Sequence, residues 1–261
     1  MNFKRSQTVT FFQNIVGCRD PDRWDSYLSK VLSATVHPND TTMLQAAISM
    51  DAIDLYYKGL ISLAEALTGI QANRFSWSII KLYYSVYFFT RSSLLSHGHV
   101  IFRCAKYILY KFSHIPTIRD IPGKNDHEVV LNYQIHNFAS SDILQSNMIA
   151  NINSYLWVKE ARNVTNYKSA KFSDPLPHDL FKGSLDLLIK CSFDELLSIY
   201  ARDKYNYCFQ EDHAILALPV KRLLHTRQDL VNAGLNIKLE SDQYNHIAKM
   251  LPEILLILTE P

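Results

Sequence analysis

The chain is poor in the residues that punctuate a polypeptide: 7 glycines and 9 prolines are spread over 261 positions. Tight turns need those residues, so a fold of many short strands is disfavoured and long regular elements are expected. Only four cysteines occur, Cys18, Cys104, Cys191 and Cys208, with no Cys-x-x-Cys pair. That excludes a zinc site built on cysteine pairs and argues against a disulfide framework, so buried reduced thiols are expected. Neither sign of charge dominates, with 27 Lys and Arg against 25 Asp and Glu. Chain-wide attraction to nucleic acid is therefore excluded, and any such binding must come from a local patch. The most apolar run, about Ile79 to Phe89, contains Lys81 and is followed by Arg91, too short and too interrupted for a membrane span. Near the start, Lys4 and Arg5 are followed by Ser6, Gln7 and Thr8, which break up any signal-peptide core. A soluble, cytoplasmic protein is expected. Phosphate-cradling glycine loops, Gly-x-Ser-x-Gly and His-Glu-x-x-His are missing too, which removes P-loop ATPases, serine hydrolases of that type and zinc proteases.

Hydrophobic residues, by contrast, make up 48 % of the chain, enough for a substantial core. Their spacing predicts an all-α fold. Two short helices are expected at about Gln7 to Val16 and Asp22 to Ala34, the second capped by Asp20 with Pro21 at its first position. Leu44, Ile48, Ala52, Leu55, Gly59, Leu63 and Leu67 then recur at three- or four-residue steps and predict a long helix from Asp40 to about Thr68. A second runs from Asn73 to Ser96, and so short a connection makes the two antiparallel. Val100 to Phe112 reads as a further helix or an irregular packed segment. Asp126 to Phe138, Asp142 to about Tyr167 and His178 to Ala201 read as three more helices. Tyr205 to Phe209 suggests a short strand or extended loop, Leu218 to Ala233 a helix, and Asp242 to Leu258 another that Pro252 would kink. The expected organisation is N-terminal helices over 1–39, a helical bundle over 40–201 and a C-terminal helical extension over 202–261.

Two stretches carry a family resemblance. The first is Arg74 to Leu95, in which Tyr83-Tyr84 precede an apolar run, Arg91 and Leu94-Leu95 near Gly98. The second is Arg162-Asn163-Val164-Thr165-Asn166-Tyr167 on the later long helix. Together they resemble the HEPN superfamily (higher eukaryotes and prokaryotes nucleotide-binding domains), over about residues 40 to 200. Gly123 to His127 is similar to the loop that begins a helix in some members. The resemblance implies an antiparallel bundle of four or five helices, a homodimer with the site at the dimer interface, and RNA as substrate or ligand. It also implies the setting of a prokaryotic defence or toxin–antitoxin system, with an antitoxin as a protein partner.

In active members, the resemblance implies, an arginine and a histidine five positions later cleave RNA without metal. The attack of a ribose 2′-hydroxyl on phosphorus needs a proton acceptor near neutrality and a cation on the phosphate oxygens. Arg162 supplies fixed charge and bidentate geometry. The position of the histidine holds Tyr167. A phenol titrates near ~10, so it donates a hydrogen bond or stacks on a base rather than accepting a proton. The expectation therefore moves from cleavage toward RNA or nucleotide binding. An active ribonuclease toxin and a non-catalytic helical scaffold are the alternatives. No cofactor and no metal site is expected.

Arg162 and Tyr167 are the tentative catalytic pair, and Asn163, Asn166, Lys159 and Lys168 the binding candidates. On an ideal α-helix, positions five apart sit ~140° apart, so Arg162 and Tyr167 are not expected to stack. Between Tyr155 and Phe172, Lys159, Arg162, Lys168 and Lys171 face Glu160 alone, and Tyr155, Trp157 and Tyr167 interleave with them as on RNA-binding surfaces. Arg162 paired to a carboxylate of another helix is the structural alternative. Lys221, Arg222 and Arg227 form a second small basic cluster, for which a solvated face is the commoner explanation. Of the 10 histidines, His97 and His99 make a weak metal signal. His127 and His136, on the third helix of the bundle, are candidates to replace the missing imidazole.

Overall fold

A computed structural model describes residues 5–250. The protein is predominantly α-helical, but the all-α expectation is corrected by a small three-stranded sheet and a two-residue hairpin. Helix α1 (Gln7–Ile15) starts at Ser6, whose hydroxyl accepts from the Val9 amide. Its first amides are also claimed from another element. The buried Asp51 carboxylate accepts from Gln7 N at 2.8 Å, Thr8 N at 2.9 Å and Ser6 Oγ at 2.6 Å. A 3-10 turn (Pro21–Tyr27) and the short α2 (Leu28–Leu32) replace the expected second helix.

Helices α3 (Pro38–Gln71) and α4 (Phe75–Ser96) form the antiparallel pair at the centre. Their close approach follows from small residues: Ser92 Oγ donates to Ala52 O at 2.7 Å, and Ser78 Oγ to Ala66 O at 3.0 Å. At Gly59 a Cβ would lie 2.5 Å from the buried ring of Phe89, so the missing side chain sets the spacing.

Beyond Gly98 the apolar run is extended. Strands β1 (His99–Cys104), β2 (Lys106–Lys111) and β3 (Thr117–Ile121) form an antiparallel sheet in sequence order. Val100, Phe102 and Cys104 are buried and alternate with more exposed neighbours, the two-residue period of a strand. The sheet packs on the N-terminal elements. Phe102 stacks on Phe12 at 5.0 Å, and Trp24 Nε1 donates to Arg103 O at 2.7 Å.

Helix α5 (Asp126–Asn137) starts at Asn125, whose side chain accepts from Glu128 N. The single helix expected over Asp142 to Tyr167 is instead a 3-10 turn (Ile143–Gln145), a hairpin of β4 (Met148–Ile149) and β5 (Ile152–Asn153), and α6 (Ser154–Asn163). Ala150 and Asn151 take positive φ at the hairpin tip, and the Asn153 side chain caps α6. A π-helical turn (Val164–Lys168) continues α6. The helix expected over His178 to Ala201 is divided into a 3-10 turn (Asp179–Phe181), α7 (Lys182–Leu188) and α8 (Phe193–Arg202). A Ser192–Glu195 capping box starts α8.

Tyr207–Phe209 is a 3-10 turn, not a strand. Helix α9 (Glu211–Asn232) begins seven residues before the expected Leu218 and carries Pro219 inside it. It lies against α4, where Thr226 Oγ1 donates to Phe89 O at 3.1 Å. Helix α10 (Ser241–Ala248) is the start of the last expected helix, whose remainder beyond 250 falls outside the described residues.

The basic cluster of α9 is not a solvated face. Lys221 and Arg222 are buried. Lys221 Nζ donates to Ala201 O at 2.9 Å and also to Asp203 O. Arg222 lies 3.6 Å from Asp142 and 3.5 Å from Asp229, and donates to Tyr155 Oη at 3.1 Å. Tyr155 Oη donates in turn to Asp142, and Ser93 Oγ to Asp229. This network joins α4, α6, α9 and the turn after α5, so it fixes the helix that carries Arg162 to the bundle. Among the described residues, no helix is long and apolar enough to cross a membrane. Cys18, Cys104 and Cys208 are buried free thiols, and Cys191 is half-buried.

Candidate functional site

Arg162 is the last turn's basic residue of α6, half-buried against α4. Among the described residues its hydrogen bonds go to neutral groups, not to a carboxylate: Nη1 donates to Asn163 Oδ1 at 3.0 Å and Nη2 to Tyr84 Oη at 3.2 Å. Three rings surround the guanidinium carbon, Tyr167 at 5.0 Å, Tyr83 at 5.4 Å and Tyr84 at 5.7 Å. Such contacts favour a weakly hydrated planar cation over an ammonium. Nε is shielded from solvent and has no hydrogen-bond partner among the described residues. An unmet donor of this kind normally costs ~1–3 kcal/mol, which an acceptor brought by a ligand would remove.

The contact with Tyr167 corrects the expected separation. Beyond Asn163 the backbone adopts the wider π turn, in which Ser169 N donates to Val164 O five residues back. Residues five apart then lie about one turn from each other, and Tyr167 folds back over Arg162. Tyr167 remains 67 % exposed, so its outer face is free for a second planar group.

Sequence reasoning named His127 and His136 together, and the structure separates them. His136 is exposed, with Nδ1 2.6 Å from Asn132 O of its own helix. His127, in the first turn of α5, enters the tyrosine cluster. Its Nδ1 lies 2.8 Å from Tyr83 Oη, and its ring centroid is 4.3 Å from that of Tyr87 and 5.5 Å from that of Tyr84. Arg162 and His127 thus share Tyr83 and Tyr84 as common walls. Burial pushes the His127 pKa below its ordinary value, and repulsion from Arg162, Lys159 and Arg91 adds to this against the pull of Asp126. The shift favours the neutral imidazole, the form that can accept a proton. Burial drives the Tyr83 phenol upward despite the nearby Arg162, so it stays protonated.

The other sequence candidates divide. Lys159 is close enough to act on His127, whereas exposed Lys168 is held by Glu160 at 2.5 Å. That bond, above all, lowers the Glu160 pKa. Asn163 orients Arg162, and Asn166 is half-buried in the π turn. Tyr155 and Trp157, expected to interleave with the cations on a surface, are buried instead. Their place is taken by aromatic side chains of α4. Trp77, 53 % exposed, meets Phe172 edge-on at 5.5 Å. It lies two turns from Tyr84 on α4, and Tyr84 stacks on Phe88 at 5.9 Å. A half-exposed aromatic row of about 16 Å thus runs along α4 past Arg162. The seven- and four-residue spacings of Trp77, Tyr84 and Phe88 were available in the sequence. Which face of α4 remains open was not.

His97 and His99 do not converge. His97 Nε2 is 3.5 Å from Asp229 Oδ1, while His99 Nδ1 is 2.6 Å from Tyr133 Oη. No family model, curated protein or solved structure matches the chain.

Proposed function

We propose that this chain is a HEPN-like RNA- or nucleotide-binding protein that uses the Arg162 cluster, in the cytoplasmic setting of a prokaryotic defence or toxin–antitoxin system. The observation that carries the reading is the guanidinium itself. It is ringed by three tyrosines and, among the described residues, bound to no carboxylate and left with one unmet donor. Charge from Arg162 and Lys159 positions a phosphate, and Tyr167, Tyr84 and Trp77 offer rings on which unpaired bases stack.

The test is fluorescence anisotropy of a labelled single-stranded RNA of ~12 nucleotides, a length within usual single-strand site sizes, with EDTA present. Arg162→Ala is expected to weaken binding at least tenfold, about 1.4 kcal/mol. Arg162→Lys is expected to recover little, because an ammonium lacks the bidentate fork. Equal affinity of wild type and Arg162→Ala would remove the reading.

A second reading, metal-independent RNA cleavage, is favoured by one observation, the His127 imidazole that shares the tyrosine walls of the Arg162 cluster, with Nδ1 2.8 Å from Tyr83 Oη. Here His127 takes the 2′-hydroxyl proton as that oxygen attacks phosphorus, the bond from phosphorus to the 5′-oxygen breaks, the 5′-oxygen leaves with the proton returned from His127, and Arg162 steadies the phosphate oxygens. Cleavage lost in His127→Ala while RNA binding persists supports it. Intact RNA after incubation with wild type rejects it.

A further inference from the structure

A neutral imidazole has one N–H and one bare nitrogen, and the hydrogen bond made by either nitrogen selects the tautomer. At His127 that bond comes from a phenol with a single outlet. Tyr83 is 1 % exposed, and among the described residues its hydroxyl has one hydrogen-bond partner, His127 Nδ1 at 2.8 Å. Burial keeps this phenol protonated. Its hydrogen therefore goes to Nδ1, because a proton on Nδ1 would leave a buried O–H donor with no acceptor. At His213 the same contact selects nothing. Tyr200 Oη lies 2.8 Å from His213 Nδ1 but also 2.8 Å from Ser184 Oγ, so its hydrogen has a second place to go.

With Nδ1 accepting, the proton of the neutral ring sits on Nε2. That atom has no hydrogen-bond partner among the described residues. The ring itself is held in place, with the centroids of Tyr83, Tyr84 and Tyr87 all within 5.5 Å of its own. Its surroundings oppose a second proton. His127 stands in the first turn of α5, where the positive end of the helix disfavours an imidazolium. Arg162 and Lys159 of α6 and Arg91 of α4 act in the same direction, against Asp126 of α5.

We propose that Tyr83 is a positioning residue that holds His127 as the Nε2–H tautomer, so that the Arg162 cluster presents a ligand with an uncharged N–H donor as well as a guanidinium. Such a donor adds a directed hydrogen bond to a phosphate or carbonyl oxygen without a second charge to desolvate. The tautomer stands without the RNA reading of Arg162, whereas the role of the donor rests on that reading. A general base needs a bare nitrogen facing its substrate, so a proton on Nε2 favours binding over cleavage.

Nitrogen-15 NMR of the labelled full chain tests the tautomer at about pH 7.5, above the ordinary histidine range, with His127 assigned by the loss of its signals in His127→Gln. Wild type is expected to show Nε2 protonated and Nδ1 bare but hydrogen-bonded. In Tyr83→Phe the Nδ1 resonance is expected to move toward that of a nitrogen with no donor. A proton on Nδ1 in wild type, or unchanged His127 signals in folded Tyr83→Phe, would overturn the assignment. Should melts show that Tyr83→Phe fails to fold, the wild-type spectrum decides alone. Fluorescence anisotropy with the single-stranded RNA probe tests the role of the donor. His127→Ala is expected to weaken binding about tenfold, and His127→Gln, whose amide is an uncharged donor, to stay within about threefold of wild type. A loss as large in His127→Gln, or none in His127→Ala, would overturn that role. Unchanged affinity in Arg162→Ala rejects the RNA reading and the donor's role with it, while the spectrum still decides the tautomer.

Discussion

The Arg162 guanidinium lies 5.0 Å from the Tyr167 ring although five residues separate them, because a π turn follows α6. An α-helix would turn the two away from each other. The widened turn makes Tyr167 the outer lid of the Arg162 cluster, with one ring face on the cation and most of its surface in solvent.

Tyr167→Phe should therefore leave affinity for single-stranded RNA unchanged, because the ring does the work. Tyr167→Ala should weaken binding by ~1–3 kcal/mol, the usual worth of one base–aromatic stack. Both should melt within ~0.5 kcal/mol of wild type, as expected of an exposed side chain. Anisotropy titrations paired with thermal melts check this, and a large loss in Tyr167→Phe would show that the hydroxyl matters.

Stability should fall on mild acidification. Burial, with Lys111 and His97 adding to it, holds His99 down to about 4, and burial with Arg222 and Lys221 holds His225 to about 4 against Asp142 and Asp229. His127 and His213 are shifted downward too, mainly by burial. The unfolded chain takes up these protons near pH 6.5, whereas native His99 and His225 resist until about pH 4. Stability from these groups is thus complete above ~6.5 and declines as pH falls toward 4. A series of melts across that window should show a falling Tm, and His225→Gln should flatten the slope.

Arg222 should be among the most sensitive positions. Arg222→Met strands the buried Asp142 without its cation, leaves half-buried Asp229 with Ser93 and His97 alone, and should cost ~3–5 kcal/mol in urea unfolding. Adding Asp142→Asn should return part of that loss, because the two sites share one network. Additive losses would mean that the charges are not coupled.

At Gly59 the helix preference and the packing oppose each other. Alanine is the better helix former by ~1 kcal/mol, yet its Cβ would sit 2.5 Å from Phe89. Gly59→Ala is expected to destabilise by ~1–3 kcal/mol, the range for overfilling a packed core. Denaturant unfolding gives the sign directly.

Legibility followed the length of the signal. Helices α3 and α4 were readable to within a few residues because their apolar positions repeat over many turns. The run from Val100 to Phe112 was too short for period to separate helix from strand, and only its pairing along β2 decided the matter. Within 142–167 the turn chemistry of Asn151 and Asn153 was present but outweighed by the apolar residues around it. The Ser192–Glu195 capping box was likewise a local start signal inside what periodicity presented as one helix.

The sequence by itself determined a mostly helical chain, the central helix pair, and Arg162 followed by a tyrosine where an imidazole was expected. Those are properties of local spacing and side-chain chemistry. Tertiary structure alone decided that His127 joins Arg162, that Tyr155 and Trp157 are interior, and that Arg222 is a buried strut rather than a surface charge. Each depends on which helix faces are pressed together, and that is settled by packing between residues far apart in the chain.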